Sequence, residues 1–86
     1  MESSPVTVRV LLFARARELA NCEAVFLALP TTATMADLRA RLAAQMPALA
    51  SLLASSAIAV NREIADDSVA LRENDEIALI PPVSGG

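Results

Sequence analysis

Residues 6–13 read Val-Thr-Val-Arg-Val-Leu-Leu-Phe, and this stretch decides the fold. Val6, Val8, Val10 and Leu12 recur at every second position, the period of a strand that turns alternate side chains to one face. Leu11 and Phe13 make its far end apolar on both faces, which predicts a central strand rather than an edge. Beyond it, residues 14–21 hold Arg15, Arg17 and Glu18 and predict a loop or a single helical turn. Val25, Leu27 and Leu29 then alternate again until Pro30 stops the run. The first two strands are near enough in sequence to pair as an antiparallel hairpin.

Further along, residues 34–45 predict the main helix. Met35, Leu38, Leu42 and Met46 stand at i, i+3, i+7 and i+11, one face of a 3.6-residue period. Thr34 followed three positions later by Asp37 has the spacing of a capping box. Arg39, Arg41 and Gln45 fall away from the apolar stripe. Pro47 ends this helix and opens a short one through Leu49, Leu52 and Leu53, closed by Ser55 and Ser56. Residues 57–60 predict a third strand, and Asn61-Arg62 a turn, because asparagine tolerates positive φ. Ile64 and Val69 flank an acidic turn at Asp66 and Asp67. Residues 71–75 predict another turn with Asn74 in the left-handed position. The last strand spans residues 76–80, with Ile77 and Leu79 on one face and Ala78 and Ile80 on the other; Pro81 and Pro82 end it, since neither offers an N–H. First and last strands belong side by side with the helix across one face. The expected class is α+β, a ubiquitin-like β-grasp: a mixed sheet of four to five strands under one main helix. Residues 1–80 would form the domain and residues 81–86 a flexible tail.

Composition removes several kinds of function. The chain has 86 residues, a net charge of -3 and 55% apolar residues. The acidic balance argues against a nucleic-acid partner, which needs a basic surface, and is compatible with a protein carrying a basic docking surface. Histidine is absent, so histidine-based zinc sites and general bases are excluded and no metal site is expected. All seven basic residues are arginine; no side-chain amine is present to form an isopeptide or a Schiff base. Cys22 is the lone cysteine and has no partner for an internal disulfide. The first five residues include Glu2 and no basic residue, and Arg9 interrupts the first apolar run. Neither a signal peptide nor a membrane span is expected, and the cytoplasm is the expected compartment. Asp66 with Asp67, and Asp75 with Glu76, read as solvated turn residues rather than acid–base or metal pairs.

Glycine placement is the informative feature. The chain has two glycines, Gly85 and Gly86, behind Pro81-Pro82-Val83-Ser84. Every internal turn manages without one. The prolines favour an extended, polyproline-like start, and the six residues reach up to ~20 Å. Gly85 and Gly86 lack Cβ atoms and so fit a narrow channel. An unhindered carboxylate would close the chain at Gly86, open to activation by ATP and exchange of an oxygen for sulfur.

Several stretches together resemble the molybdopterin synthase small-subunit family, the sulfur carriers of molybdenum-cofactor synthesis. They are residues 10–14 (Val-Leu-Leu-Phe-Ala) with Arg17-Glu18-Leu19, residues 34–42, Val60-Asn61, residues 74–78 (Asn-Asp-Glu-Ile-Ala) and the Pro-Pro-Val-Ser-Gly-Gly tail. The resemblance implies that Gly86 is adenylated by an activating enzyme related to ubiquitin-activating enzymes, which uses the ATP, and is converted to a thiocarboxylate with sulfur from a donor protein. The tail, Pro81 to Gly85, would then enter the large synthase subunit, where sulfur passes to cyclic pyranopterin monophosphate. The expected assembly is a heterotetramer, and no cofactor is expected on this chain. It would act as a donor subunit, with catalytic side chains on the large subunit. Phe13, Arg17, Ile64, Leu79 and Ile80 are the candidate docking residues, Phe13 and Ile80 foremost. Two departures from the family pattern stand out. Asn74 stands where glycine is usual, and Leu79-Ile80 where aromatic residues are familiar. Rival readings are a ubiquitin-like carrier for thiamin, cysteine or tRNA thiolation, a ubiquitin-like protein modifier, or a plain binding module with an idle tail.

Overall fold

The computed structural model describes residues 5–82. Strand β1 (Val6–Leu12) lies in the interior of a five-stranded mixed sheet, as its two-sided apolar end predicts. It pairs antiparallel with β2 (Ala24–Leu29) and parallel with β5 (Glu76–Ile80). β3 (Ala57–Val60) pairs antiparallel with β5 on its other side and with the short β4 (Glu63–Ala65) at the far edge. The order is β2-β1-β5-β3-β4. The core forms on the sheet face that carries Val6, Val8, Val10, Leu12, Leu27, Ile58, Ile77 and Leu79, each at an alternate strand position.

Helix α2 (Met35–Gln45) covers that face with Met35, Leu38 and Leu42, all fully buried. The Asp37 carboxylate accepts from the Thr34 backbone N–H at 2.9 Å and from its hydroxyl at 3.3 Å, so the expected cap is present. The N–H groups of Met35 and Ala36 donate to the carbonyls of Val69 and Asp67, which satisfies two donors that a helix start leaves free. A 3-10 turn (Pro47–Leu49) and α3 (Ala50–Leu53) follow and bury Leu49 and Leu53.

One element differs from expectation. Residues 14–20 form a seven-residue helix, α1 (Ala14–Ala20), not a loop or a single turn. Its alanines, arginines and leucine are good helix formers, and Ala16 is wholly buried. Asn21 ends it at φ 58, with its N–H on the Arg17 carbonyl at 2.9 Å. The glycine-free turns are built by asparagine. Asn61 (φ 51) and Arg62 (φ 75) join β3 to β4, and Asn74 (φ 71) precedes β5. Asn61 also knits the turns together. It donates to Asp75 at 3.0 Å and accepts from the Glu76 N–H at 3.0 Å.

Candidate functional site

The site is the place where the chain leaves the sheet. Leu12 pairs with Leu79 in the parallel β1–β5 ladder, so one further step sets Phe13 alongside Ile80. Both lie on the outer face of the sheet, opposite the helices, and are 47% and 40% exposed. Pro81 is buried and Pro82 exposed, so the first residue after β5 is held against the body. Val83, Ser84, Gly85 and Gly86 lie outside the described residues.

Strand register extends this apolar corner across the outer face. Ala24, Leu11, Ala78, Ala59 and Ile64 face one another in successive pairs from β2 to β4, and Ile64 at the end of that row is 68% exposed. The opposite end of the face is charged, with Arg9 paired to Glu76 in the ladder. Phe13 and Ile80 thus place apolar surface at the end of the face where β5 finishes, while Phe26 adds an exposed ring beside Arg9 at the other end. Surfaces of this kind mark interaction sites.

Arg17 stands one turn into α1, its N–H 3.4 Å from the Phe13 carbonyl. Its guanidinium lies 3.8 Å from Glu23, both side chains well exposed, a pairing of little energetic weight. It is available at the rim of the corner. Leu79 is a correction to the docking candidates: it is fully buried, among the core residues of β5. The parallel partner Leu12 turns it inward, and only Ala78 and Ile80 of that strand face outward. Ile64 belongs to the same outer face, set apart from Phe13 and Ile80 toward the β4 edge.

Two features escape the sequence reading. Phe26, which stands between Val25 and Leu27, is 63% exposed on the outer face beside Arg9. The alternation of Val25, Leu27 and Leu29 is the signal that places it outside. Arg39, Arg41 and Gln45 are the second. They leave the helix stripe as expected, but each reaches a backbone carbonyl: Arg39 those of Leu53 and Ser56, Arg41 that of Ala28, and Gln45 that of Phe26.

The acidic pairs are turn-builders. Asp66 accepts from the hydroxyl and the N–H of Ser68, and these two bonds hold its carboxyl below the ordinary aspartate value. Asp67 pairs with Arg39, and Asp75 accepts from Asn61 and the Arg72 N–H. Among the described residues, no three His, Cys, Asp or Glu side chains gather as a metal site, and no helix is long and apolar enough to cross a membrane. Cys22 is exposed. This corner offers an exposed apolar surface at the point where β5 ends, and among the described residues it holds no nucleophile–base pair.

Sheet order, the crossing helix and an outer face free of helices define a ubiquitin-like β-grasp domain. A model described as the ThiS family matches residues 10–86. The chain belongs to the ThiS family. It is 38% identical over 85 residues to a molybdopterin synthase sulfur carrier subunit of Arabidopsis thaliana, covering 99% of this chain and 88% of that protein. SAMP1 of Haloferax volcanii, small archaeal modifier protein 1, superposes with a TM-score of 0.84 at 31% identity, over 93% of this chain and 99% of that one. Subunit 1 or 2 in a protein–protein complex of molybdopterin-converting factor from Helicobacter pylori matches with a TM-score of 0.67 at 29% identity, over 94% of this chain and 100% of that one.

Proposed function

We propose that this chain is the sulfur carrier subunit of molybdopterin synthase. The single observation that carries the reading is the coincidence of the apolar corner at Phe13 and Ile80 with the departure point of a sequence ending Gly85-Gly86. Residues 1–80 are the docking body and residues 81–86 the delivering tail, with Pro81 packed at their junction.

In this reading the Gly86 carboxylate attacks the α-phosphorus of ATP on an adenylyltransferase related to ubiquitin-activating enzymes and releases pyrophosphate. Sulfide-level sulfur from a donor protein then displaces AMP and leaves a thiocarboxylate. The tail enters the large synthase subunit and passes that sulfur to cyclic pyranopterin monophosphate, and water restores the carboxylate. The body contributes recognition. Phe13 and Ile80 form the apolar centre, Arg17 and Ile64 the surround. The chain carries no cofactor of its own, and ATP belongs to the activating enzyme. Its compartment is the cytoplasm, and its working assembly is a heterotetramer with two large subunits.

The test is intact mass. Incubation with ATP, an activating enzyme and a sulfur donor is expected to exchange one oxygen for sulfur, mapped to Gly86. Deletion of Gly86 is expected to abolish product formation and leave the fold intact; a truncated chain that still supports product formation refutes the assignment.

Likeness to a small archaeal modifier protein motivates a second reading, in which Gly86 is joined to lysines of other proteins. Isopeptide-linked adducts of this chain in cell extracts are the result that would favour it.

A further inference from the structure

β2 closes one side of the sheet, and among the described residues no strand lies beside its outer edge. The Leu12 N–H donates to the Glu23 carbonyl at 2.9 Å. Counting back through the antiparallel register, Val25, Leu27 and Leu29 therefore spend their backbone groups on β1, and those of Ala24, Phe26 and Ala28 point to the open side. The six residues Ala-Val-Phe-Leu-Ala-Leu carry no charge and no proline. A long, uncharged, apolar edge is a template for another strand. The opposite edge is managed by length, since β4 has only three residues.

Helix α2 supplies the protection at β2. Arg41 Nη1 donates to the Ala28 carbonyl at 2.8 Å, and Gln45 Nε2 to the Phe26 carbonyl at 3.4 Å. Both side chains flank the core stripe on one side of the helix, four residues apart, which is the spacing that puts them over successive outward carbonyls of one strand.

We infer that Arg41 and Gln45 guard the β2 edge against strand pairing with a second copy of this chain. The occupant follows from self-complementarity. An antiparallel pair centred on Phe26 sets Phe26 against its own copy and Ala24 against Ala28 on both sides, with two hydrogen bonds at each of the three pairs. The two-fold axis runs through the Phe26 pair, small residues face small ones, and like charges never meet. Aromatic pairs of this kind stabilise antiparallel ladders. The bonds of Arg41 and Gln45 occupy the carbonyls that this pairing needs.

Sedimentation equilibrium of the full chain tests the inference. Wild type is expected at the monomer mass of 9.0 kDa. The Arg41→Ala, Gln45→Ala variant is expected to approach twice that mass as concentration rises, with an unchanged far-UV spectrum. Alanine is the best helix former, and Arg41→Met with Gln45→Met, which keeps side-chain bulk without a donor, is expected to behave alike and stands in should the alanine pair unfold. Adding Ala28→Pro removes an outward N–H and no bond to β1, and is expected to return either variant to monomer. A variant that stays at 9.0 kDa, a wild type already at twice that mass, or an association that Ala28→Pro leaves in place overturns the inference.

Discussion

The Arg39 guanidinium grips Asp67 across 28 residues, Nε to Oδ1 at 3.0 Å, and with Nη1 it also holds the carbonyls of Leu53 and Ser56 at 2.6 and 3.0 Å. One half-buried side chain thus ties α2 to the end of α3 and to the acidic turn before β5. Arg39→Ala strands both carbonyls and removes the ion pair. It is expected to cost about 2 kcal/mol of stability. Urea unfolding is expected to show a lower midpoint at constant slope. Arg39→Lys is expected to recover only part of the loss, since an ammonium lacks the planar fork.

Ile80 and Leu79 are neighbours with opposite fates, and substitution is expected to separate docking from folding. Ile80→Asp on the exposed face is expected to weaken binding to the large synthase subunit by ~10-fold or more while the unfolding midpoint barely moves. Leu79→Ala, in the core, is expected to destabilise the fold by about 2–5 kcal/mol. Calorimetric titration and chemical unfolding of both variants decide the matter. Equal effects of both changes on binding and on stability would remove Ile80 from the interface.

Arg62 holds φ 75 in the turn between β3 and β4. Arg62→Gly removes the Cβ crowding of the left-handed region and makes the Asn-Gly pair that two-residue hairpins favour. A gain of about 1 kcal/mol is expected, read as a higher thermal midpoint.

Asp66 carries the pH prediction. Its carboxyl is held low first by the Ser68 hydroxyl and then by the Ser68 N–H. The folded value lies below the unfolded one, so the stabilising contribution is present above the ordinary aspartate value and is lost as pH falls through the folded value. Ser68→Ala removes the larger of the two bonds. NMR titration is expected to show the Asp66 midpoint move upward toward the ordinary value, with the N–H contribution remaining.

Much of the fold is legible because its signals are local. Thr34 with Asp37 announces the start of α2, and Asn61 and Asn74 announce turns that need positive φ. Alternation in β1 and β5 carries the sheet. What escapes is set by contacts between elements. Nothing in residues 14–20 caps a helix: Phe13 makes no side-chain bond at its start, and the segment is helical because Ala16 packs in the core. Alternation groups Ile77 with Leu79 but does not say which pair faces inward; parallel pairing with Val10 and Leu12 does. At the site, Phe13 and Ile80 are recognisable as exposed apolar residues; the alternation of Val25, Leu27 and Leu29 also turns Phe26 outward, but its place beside Arg9 follows only from the register of β2.

The burial of Pro81 turns the site into a ruler. With that ring packed against the body and Pro82 already in solvent, the proposed carrier role gives residues 82–86 a working distance of at most ~18 Å when fully extended. A partner that seats the outer sheet face must therefore open its reaction chamber within that radius of Pro81. Lengthening or shortening residues 82–84 by a single position would shift the delivered group by about 3 Å, enough to misalign it with a fixed acceptor.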